Sequence, residues 1–506
     1  MPDDIVHGPT HAKGRIERPA LRRKGWLACW PAVIAACMPT GASAHAWNIP
    51  YYLPVPLWLY AYAATGTLMV SFMILAFASG SRLPDTGLPA RRWTKGLRIP
   101  VSIVRAGQVA SAIFVAILIV AGIAGTQNPF LNLAMSGFWI WFYLGSIYVS
   151  AILGDVYSFT NPIALLLRIA ARGFPSLERG RYRMPRRLAS WPALGGYVAL
   201  IALELFGTGR PRDVSLFLVA YIAYALAGAF CFGRKRWIAR FDTFGLLCGL
   251  CARLSPLTWR ACANRDVIVE PRNPIADMSR DKTADISIVA FLSFMLSSTA
   301  YDGLRDTATW NTFFWRSIYP HIIDLVPPLG KNYAFSAEIL LAWQWLMFAA
   351  IGVAYYLLFR GFCALGAISS RSSSGGAYFS RRFCLILLPI ALFYNVCHYF
   401  TLFWDQGRQI VSLASDPLGL GWHLLPLPAA DDPVSAAQAL INVGYIWHAQ
   451  VLLILVGHVL SVYLTHAIAL RSGNPAGRAV VGQLPLLVLT IALTISGLWI
   501  LSLPLA

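Results

Sequence analysis

The chain has 506 residues, of which 57% are hydrophobic and only 12% are charged. Because soluble domains need about 25% charged residues to cover their surface, this composition excludes a large water-soluble domain. It predicts an all-α, polytopic integral membrane helix bundle in contact with the lipid bilayer. The net charge of +19 does not indicate nucleic-acid binding, because the basic residues lie in clusters between apolar segments.

The first 44 residues have the order of a secretory signal peptide. A basic leader is followed by an apolar stretch at 26–38 and by small residues that end at Ala44. The apolar stretch is shorter than the roughly 20 residues that cross a hydrocarbon core. We therefore predict a signal peptide at 1–44, cleaved to leave His45 as the first residue of the mature chain. An uncleaved leader is the alternative.

Apolar segments of spanning length follow throughout the mature chain, 45–506. A transmembrane helix needs about 20 predominantly apolar residues. The predicted spans lie at 53–79, 109–125, 136–156, 191–207, 214–232, 286–302, 336–359, 383–403, 441–470 and 484–503. The sequence therefore predicts about ten transmembrane helices.

The distribution of Lys and Arg predicts the orientation of these spans. The loops after the odd-numbered spans hold 29 of the 41 basic residues, whereas the loops after the even-numbered spans hold six. Cytoplasmic loops are enriched in Lys and Arg, so we expect both mature termini on the outer side of a bacterial inner membrane. The basic loop at 233–285 is then cytoplasmic, and 404–440 is an outer loop.

One segment of the basic loop is itself apolar. Residues 244–251 lie between basic residues, which is typical of an amphipathic segment that lies at the membrane interface. Docking of a cytoplasmic partner protein is the alternative.

Ionisable residues inside the spans are the best candidates for function, because each costs at least ~2.5 kcal/mol in hydrocarbon. They are Asp155 at an inner end, Glu204, Asp302 and Glu338 at outer ends, His398 in the outer half of the eighth span, and His448, His458 and His466 in the ninth. His448 and His466 lie about 27 Å apart along one helix, so they cannot bind the same ion.

These residues leave several interpretations open. Imidazoles near the outer face, with Asp302 as a carboxylate, suit a zinc or copper site, and an amino-terminal His45 would chelate through its α-amine and imidazole together. Haem ligation by His398 and His458 is less expected, because no electron-transfer motif accompanies them. A proton-coupled transporter would use Asp155, Glu204 or His458 as relays. Histidines that only bridge helices are the structural alternative.

Several short motifs resemble one family of bacterial membrane proteins. They are Leu53-Pro-Val-Pro-Leu-Trp-Leu-Tyr-Ala-Tyr62 after Ala44-His45, Phe241-Asp-Thr-Phe-Gly245, Ala300-Tyr-Asp-Gly303, Cys397-His-Tyr-Phe400 and Gly457-His-Val with Leu464-Thr-His466. Together they are similar to proteins described as fenitrothion hydrolases. The resemblance implies hydrolysis of organophosphorus triesters with release of a nitrophenol, by one subunit of a membrane complex. Such substrates are apolar and partition into lipid, and a metal-bound hydroxide would attack the phosphorus. Because this chain offers fewer His and Asp ligands than soluble phosphotriesterases, a partner subunit is expected to contribute further ligands.

Depth, ligand chemistry and this resemblance together predict a site. His45, His398 and His458 hold a divalent metal, and Asp302 either completes the ligand set or takes the proton from bound water. His466, near the inner face, is expected to be structural. The runner-up functions are a proton- or metal-coupled transporter and a cofactor-bearing membrane subunit of a complex.

Overall fold

The computed structural model describes residues 55–78, 96–262, 266–281, 283–325, 333–422, 424–425, 443–471 and 475–504. Ten helices within these ranges are long and apolar enough to cross a membrane. The predicted all-α polytopic bundle is therefore confirmed. The predicted cleavage site between Ala44 and His45 lies outside the described residues, and so does His423.

The helices of the first half alternate between spans and short segments. In chain order they are α1 (Leu57–Ala78), α2 (Val101–Ala124), α3 (Leu133–Leu153, with a π-helical stretch at Ser136–Gly145), α4 (Val156–Thr160), α5 (Pro162–Gly173), α6 (Ser176–Arg179), α7 (Trp191–Phe206), α8 (Pro211–Phe232), α9 (Arg234–Arg240), α10 (Thr243–Cys251) and α11 (Pro274–Arg280).

The second half contains longer helices, and one of them is followed by a break. They are α12 (Ile286–Arg305), α13 (Ala308–Phe313), α14 (Tyr319–Leu325), α15 (Tyr333–Ser369), α16 (Gly375–Phe383), α17 (Leu387–His398), α18 (Phe400–Arg408), α19 (Ile410–Ser415), α20 (Val443–Leu470) and α21 (Ala476–Ser502). The eighth span runs from Gly375 to His398 and so combines α16 and α17. We call the end of the bundle at which α7 and α12 finish the outer end, after the predicted orientation.

A small antiparallel sheet ties two distant loops together at the inner end. Its strands are β1 (Leu97–Ile99), β2 (Leu257–Ala261) and β3 (Val267–Pro271), with β3 in the middle. Leu97 pairs with Val269 and Ile99 with Val267. The sheet therefore joins the segment before α2 to the long loop after α8, and that loop is a folded unit.

The apolar segment of that loop does not lie at the membrane interface. It forms α10, and its side chains from Thr243 to Cys251 are buried or half-buried, with none exposed. The helix packs against α3 and α7. The prediction of an interfacial segment is wrong because both faces of this short helix are apolar and the bundle covers both.

The first span packs against the last two. Leu68 and Phe72 of α1 are buried against Val462 of α20 in a separate apolar cluster, and α1 also contacts α21. The two ends of the described chain are therefore joined within the membrane.

The eighth span ends at a break, and a further short helix follows it. The helix α17 ends at His398, Tyr399 leaves helical geometry with φ −94° and ψ 11°, and α18 begins at Phe400. The helix α18 lies along α3, because the Ser136 hydroxyl donates to Gln406 O at 2.9 Å. Part of the predicted 404–440 outer loop is therefore helical, and His398 lies inside the bundle at the break.

A buried carboxylate secures the inner end. Asp242, directly before α10, is fully buried and accepts hydrogen bonds from Tyr221 Oη and Asn161 Nδ2, each at 2.6 Å. Burial raises the pKa of Asp242, although both hydrogen bonds oppose the rise. These contacts join α5, α8 and α10 around one acidic group.

We expect Asp242→Asn to lower the stability of the detergent-solubilised protein by about 1–3 kcal/mol, since one buried donor loses its acceptor. Because the folded-state pKa is raised, the folded protein binds more protons than the unfolded chain. Stability from this group therefore falls as the pH rises from about 4 through the folded pKa. Thermal unfolding should show the largest deficit of the variant at low pH. The exposed Asp277→Asn is the control, and a pH-independent deficit at Asp242 would contradict the assignment.

Candidate functional site

Three spans bring ionisable side chains together near the outer end. Glu204 lies two residues before α7 ends at Phe206, and Asp302 lies three residues before α12 ends at Arg305. His398 and Tyr399 come from the break after α17. The five residues that we call the outer cluster are Glu204, Asp302, Arg305, His398 and Tyr399.

His398 and Asp302 form the central pair of the outer cluster. His398 Nε2 lies 2.7 Å from Asp302 Oδ2, and the two side chains are 19% and 18% exposed. In the neutral imidazole, an Nε2–H that donates to the carboxylate leaves Nδ1 with a lone pair. The pair therefore has the geometry of a carboxylate that orients a histidine base.

The Tyr399 hydroxyl joins this pair to a second carboxylate. Tyr399 Oη lies 2.9 Å from Asp302 Oδ2 and 2.9 Å from Glu204 Oε1. One hydroxyl carries one proton, so it can donate a full hydrogen bond to only one of them. A second full hydrogen bond would need a proton on the other carboxyl group. The three side chains and His398 thus form a continuous series of close polar contacts from His398 to Glu204.

Arg305 supplies the positive charge of the outer cluster. Its side chain is buried, donates from Nη1 to Leu205 O, and donates from Nε to Asp306 Oδ1 at 3.1 Å. The guanidinium carbon lies 5.6 Å from the centre of the Phe206 ring. Arg305 thus anchors the end of α12 to the end of α7, and its charge acts on both carboxylates of the outer cluster.

The Nδ1 edge of His398 faces a glycine. A Cβ placed on Gly303 would lie 3.4 Å from His398 Nδ1 and Cε1, and 2.9 Å from the side chain of Ile500. The absence of a side chain at Gly303 therefore leaves space beside the nitrogen that would act as the base.

His458 lies elsewhere in the bundle. Gln450 Nε2 donates to Cys397 O at 2.9 Å, so Gln450 marks the level of the outer cluster on α20. His458 follows eight residues later, about 12 Å deeper along the helix. Its Nδ1 donates to Ile454 O at 2.7 Å, while its Nε2 is buried without a hydrogen-bond partner among the described residues.

The other histidines of α20 also lie apart from the outer cluster. His448 is exposed, contacts Gly444 O at 2.6 Å and lies 3.5 Å from Tyr60 Oη. His466 is buried, and its Nδ1 lies 3.1 Å from Gln483 Oε1, a contact that joins α20 to α21 and agrees with a structural role. His45 lies outside the described residues.

The predicted metal site is not complete within the part of the chain that the structure describes. There, no three His, Cys, Asp or Glu side chains lie close enough to hold one ion. His398 and Asp302 offer two ligands, whereas zinc sites in proteins use three or four. Further ligands would have to come from His45 or from a partner subunit.

An apolar groove lies on the other side of α17. It has a volume of about 730 Å³ and is lined mainly by apolar side chains of α3, α4 and α17. Val396 lines this groove, and His398, two residues later, points about 200° away around the helix. The groove can hold an apolar molecule from the membrane, but it does not open onto the base.

Comparison with protein-family models, with curated proteins and with solved structures finds no match. The geometry of the described residues is therefore the basis for assigning a function.

Sequence reasoning found part of the outer cluster. It singled out Asp302, His398 and Glu204, but it gave no role to Tyr399 or Arg305. Both had a local signal. Tyr399 directly follows His398, and Arg305 lies three residues after Asp302, which places the two on one face of a helix.

Proposed function

We propose that this chain is a membrane-embedded hydrolase of apolar organophosphorus triesters in which His398 acts as the general base. The observation that carries the proposal is the 2.7 Å contact between His398 Nε2 and Asp302 Oδ2. Asp302 holds the imidazole so that Nδ1 removes a proton from water. The resulting hydroxide attacks phosphorus, and the bond from phosphorus to the aryl oxygen breaks to release a nitrophenolate.

The outer cluster then accepts the proton that His398 has taken up. The Asp302 carboxylate stabilises the imidazolium. Tyr399 contacts both Asp302 and Glu204, so its hydroxyl can pass a proton between the two carboxyl groups. The positive charge of Arg305 compensates the negative charge of Glu204 and Asp302 in the membrane. The proposal assigns the aryl triester class on the resemblance to fenitrothion hydrolases.

The test combines activity with metal analysis. Purified full-length protein should release nitrophenolate from a nitrophenyl thiophosphate triester in detergent, and metal analysis should show whether zinc or copper accompanies it. Hydrolysis by metal-free protein would show that the reaction requires no metal, as a His398 base predicts. Stoichiometric metal that is lost on replacing His45 would support the wider ligand set. No hydrolysis in either form would overturn the proposal.

Gly303→Ala should reduce hydrolysis by about tenfold or more, because its Cβ would occupy the space beside His398 Nδ1 and displace the attacking water from its near-attack position. The close contact is with the Cγ2 methyl of Ile500, so combining the change with Ile500→Ala removes that contact and confines the effect to the histidine edge. Ile500→Ala alone is the control and should retain parental turnover. Equal activity of the double variant and the control would show that water does not approach from this side.

A proton-coupled carrier is the second candidate, and the series of polar contacts from His398 to Glu204 favours it. This series connects three spans, and ionisable groups within spans serve as proton relays in carriers. In proteoliposomes with an imposed pH gradient, a carrier should move protons when its solute is present, and Tyr399→Phe should abolish the movement. A hydrolase should show turnover without any such flux.

The orientation is proposed with both mature termini on the outer side of a bacterial inner membrane. Cysteine introduced at 183 should be protected from an impermeant thiol reagent in intact cells, and cysteine at 423 should be labelled. Amino-terminal sequencing should begin at His45. Labelling of position 183 alone, or an intact Met1, would overturn the orientation or the cleavage.

A further inference from the structure

The inner end of the bundle carries an exposed basic surface that the outer cluster does not use. Between 168 and 187, beside the inner end of α8, the chain contains seven arginines and one acidic residue, Glu178. The arginines that are exposed and have no acidic partner among the described residues are Arg172, Arg181, Arg183, Arg186 and Arg187. We call these five residues the basic patch.

The fold holds the basic patch at the level of the membrane surface. The backbone N–H groups of Arg181 and Tyr182 donate to Phe230 O at 3.0 Å and to Cys231 O at 2.7 Å, in the last turn of the span α8. Because a spanning helix ends at the headgroup region, the basic patch lies where phospholipid phosphates lie. The only acid in this segment, Glu178, is already paired with Arg234.

Apolar side chains accompany the arginines. In α5, Ile163 and Leu167 are buried in the protein, while Ile169 is 52% exposed. Phe174, directly after the helix, is 68% exposed. A surface that presents arginines beside an exposed phenylalanine and isoleucine fits the boundary between headgroups and acyl chains, because each kind of side chain finds its solvent there.

We infer that the basic patch binds the phosphate headgroups of anionic phospholipids in the inner leaflet, with Phe174 and Ile169 inserted among the upper acyl carbons. The inference is independent of the reaction at the outer cluster. Clusters of four to eight basic residues immediately beside the inner end of a span have the charge complementarity for such lipids.

The experiment compares two variants that remove the same charge from the same end of the bundle. Full-length protein in non-ionic detergent is incubated with equal amounts of phosphatidylglycerol and phosphatidylcholine with identical chains, and native mass spectrometry counts the lipids retained. The test variant is Arg183→Gln with Arg187→Gln. The matched control is Arg371→Gln with Arg478→Gln, two exposed arginines outside the basic patch.

Wild type and control should retain phosphatidylglycerol in preference to phosphatidylcholine, and the test variant should lose that preference by roughly 10- to 30-fold, as two arginines near a lipid surface predict. High salt should weaken the preference in wild type. Arg183→Lys with Arg187→Lys should restore it, which separates charge from folding. An unchanged lipid ratio in the test variant, or an equal loss in the control, would overturn the inference. Binding of acidic polypeptide instead of lipid would overturn it as well.

Discussion

Replacing His398 by Gln, or Asp302 by Asn, should each lower triester hydrolysis by about 100-fold or more. Gln cannot take up the proton of the attacking water, and Asn cannot stabilise the imidazolium across the 2.7 Å contact. Because the two residues act as one unit, the double variant should be little worse than either single variant. Initial rates of nitrophenolate release, measured at saturating substrate, check both statements.

His448→Gln is the matched control for this result. His448 is also a histidine on the outer half of a span, but it is exposed, and its polar contacts within the described part of the chain are with Tyr60 and Gly444. Its replacement should change turnover by less than about twofold, because no proton transfer depends on it. Parental activity in a correctly inserted His398→Gln protein would remove the general base from the proposal and favour the carrier.

Replacing Arg305 by Met should destabilise the protein by about 3–5 kcal/mol, the cost of leaving buried charge without its partner. Met keeps much of the volume of the side chain but removes the positive charge near Glu204 and Asp302, and it removes the hydrogen bonds to Leu205 O and Asp306. Thermal or chemical unfolding in detergent, followed by near-ultraviolet circular dichroism, measures the change.

A second variant distinguishes lost charge from lost packing as the cause of the lower stability of Arg305→Met. If uncompensated charge is responsible, Glu204→Gln should recover part of the stability of Arg305→Met, because it removes one of the two carboxylates. The exposed Arg316→Gln should be neutral within about 0.5 kcal/mol. Absence of any rescue by Glu204→Gln would mean that Arg305 acts through its contacts to α7 and not through its charge.

The spans could be predicted because each depends on local composition. About 20 consecutive apolar residues suffice to identify a helix such as α8 or α20. The helices packed against such a span have little effect on where it begins and ends. The burial of α10 could not be predicted in the same way. Its sequence has the composition of an interfacial segment, and only the positions of α3 and α7 determine that both faces are covered.

The outer cluster shows the same division. Asp302 and His398 could each be identified because ionisable residues are rare within spans. Their contact could not, because it depends on how α12 packs against α17, and the two residues are 96 positions apart in the sequence. The sequence predicted that His458 and His398 share a metal site, but α20 carries His458 about 12 Å deeper than the outer cluster. The position of a residue on a helix does not show which neighbouring helix it faces.

The packing of α1 against α20 and α21 has a consequence for synthesis of the protein. Spans enter the membrane in the order in which they leave the ribosome, so α1 is the first to be inserted and its partners are the last. Until α20 arrives, Leu68 and Phe72 have only lipid beside them, whereas α2 and α8 meet soon after insertion. Ribosome-stalled chains that end before residue 443 would therefore contain an assembled middle portion and a first helix still detached from it. A chain that lacks α20 and α21 would therefore lack the two helices against which α1 packs.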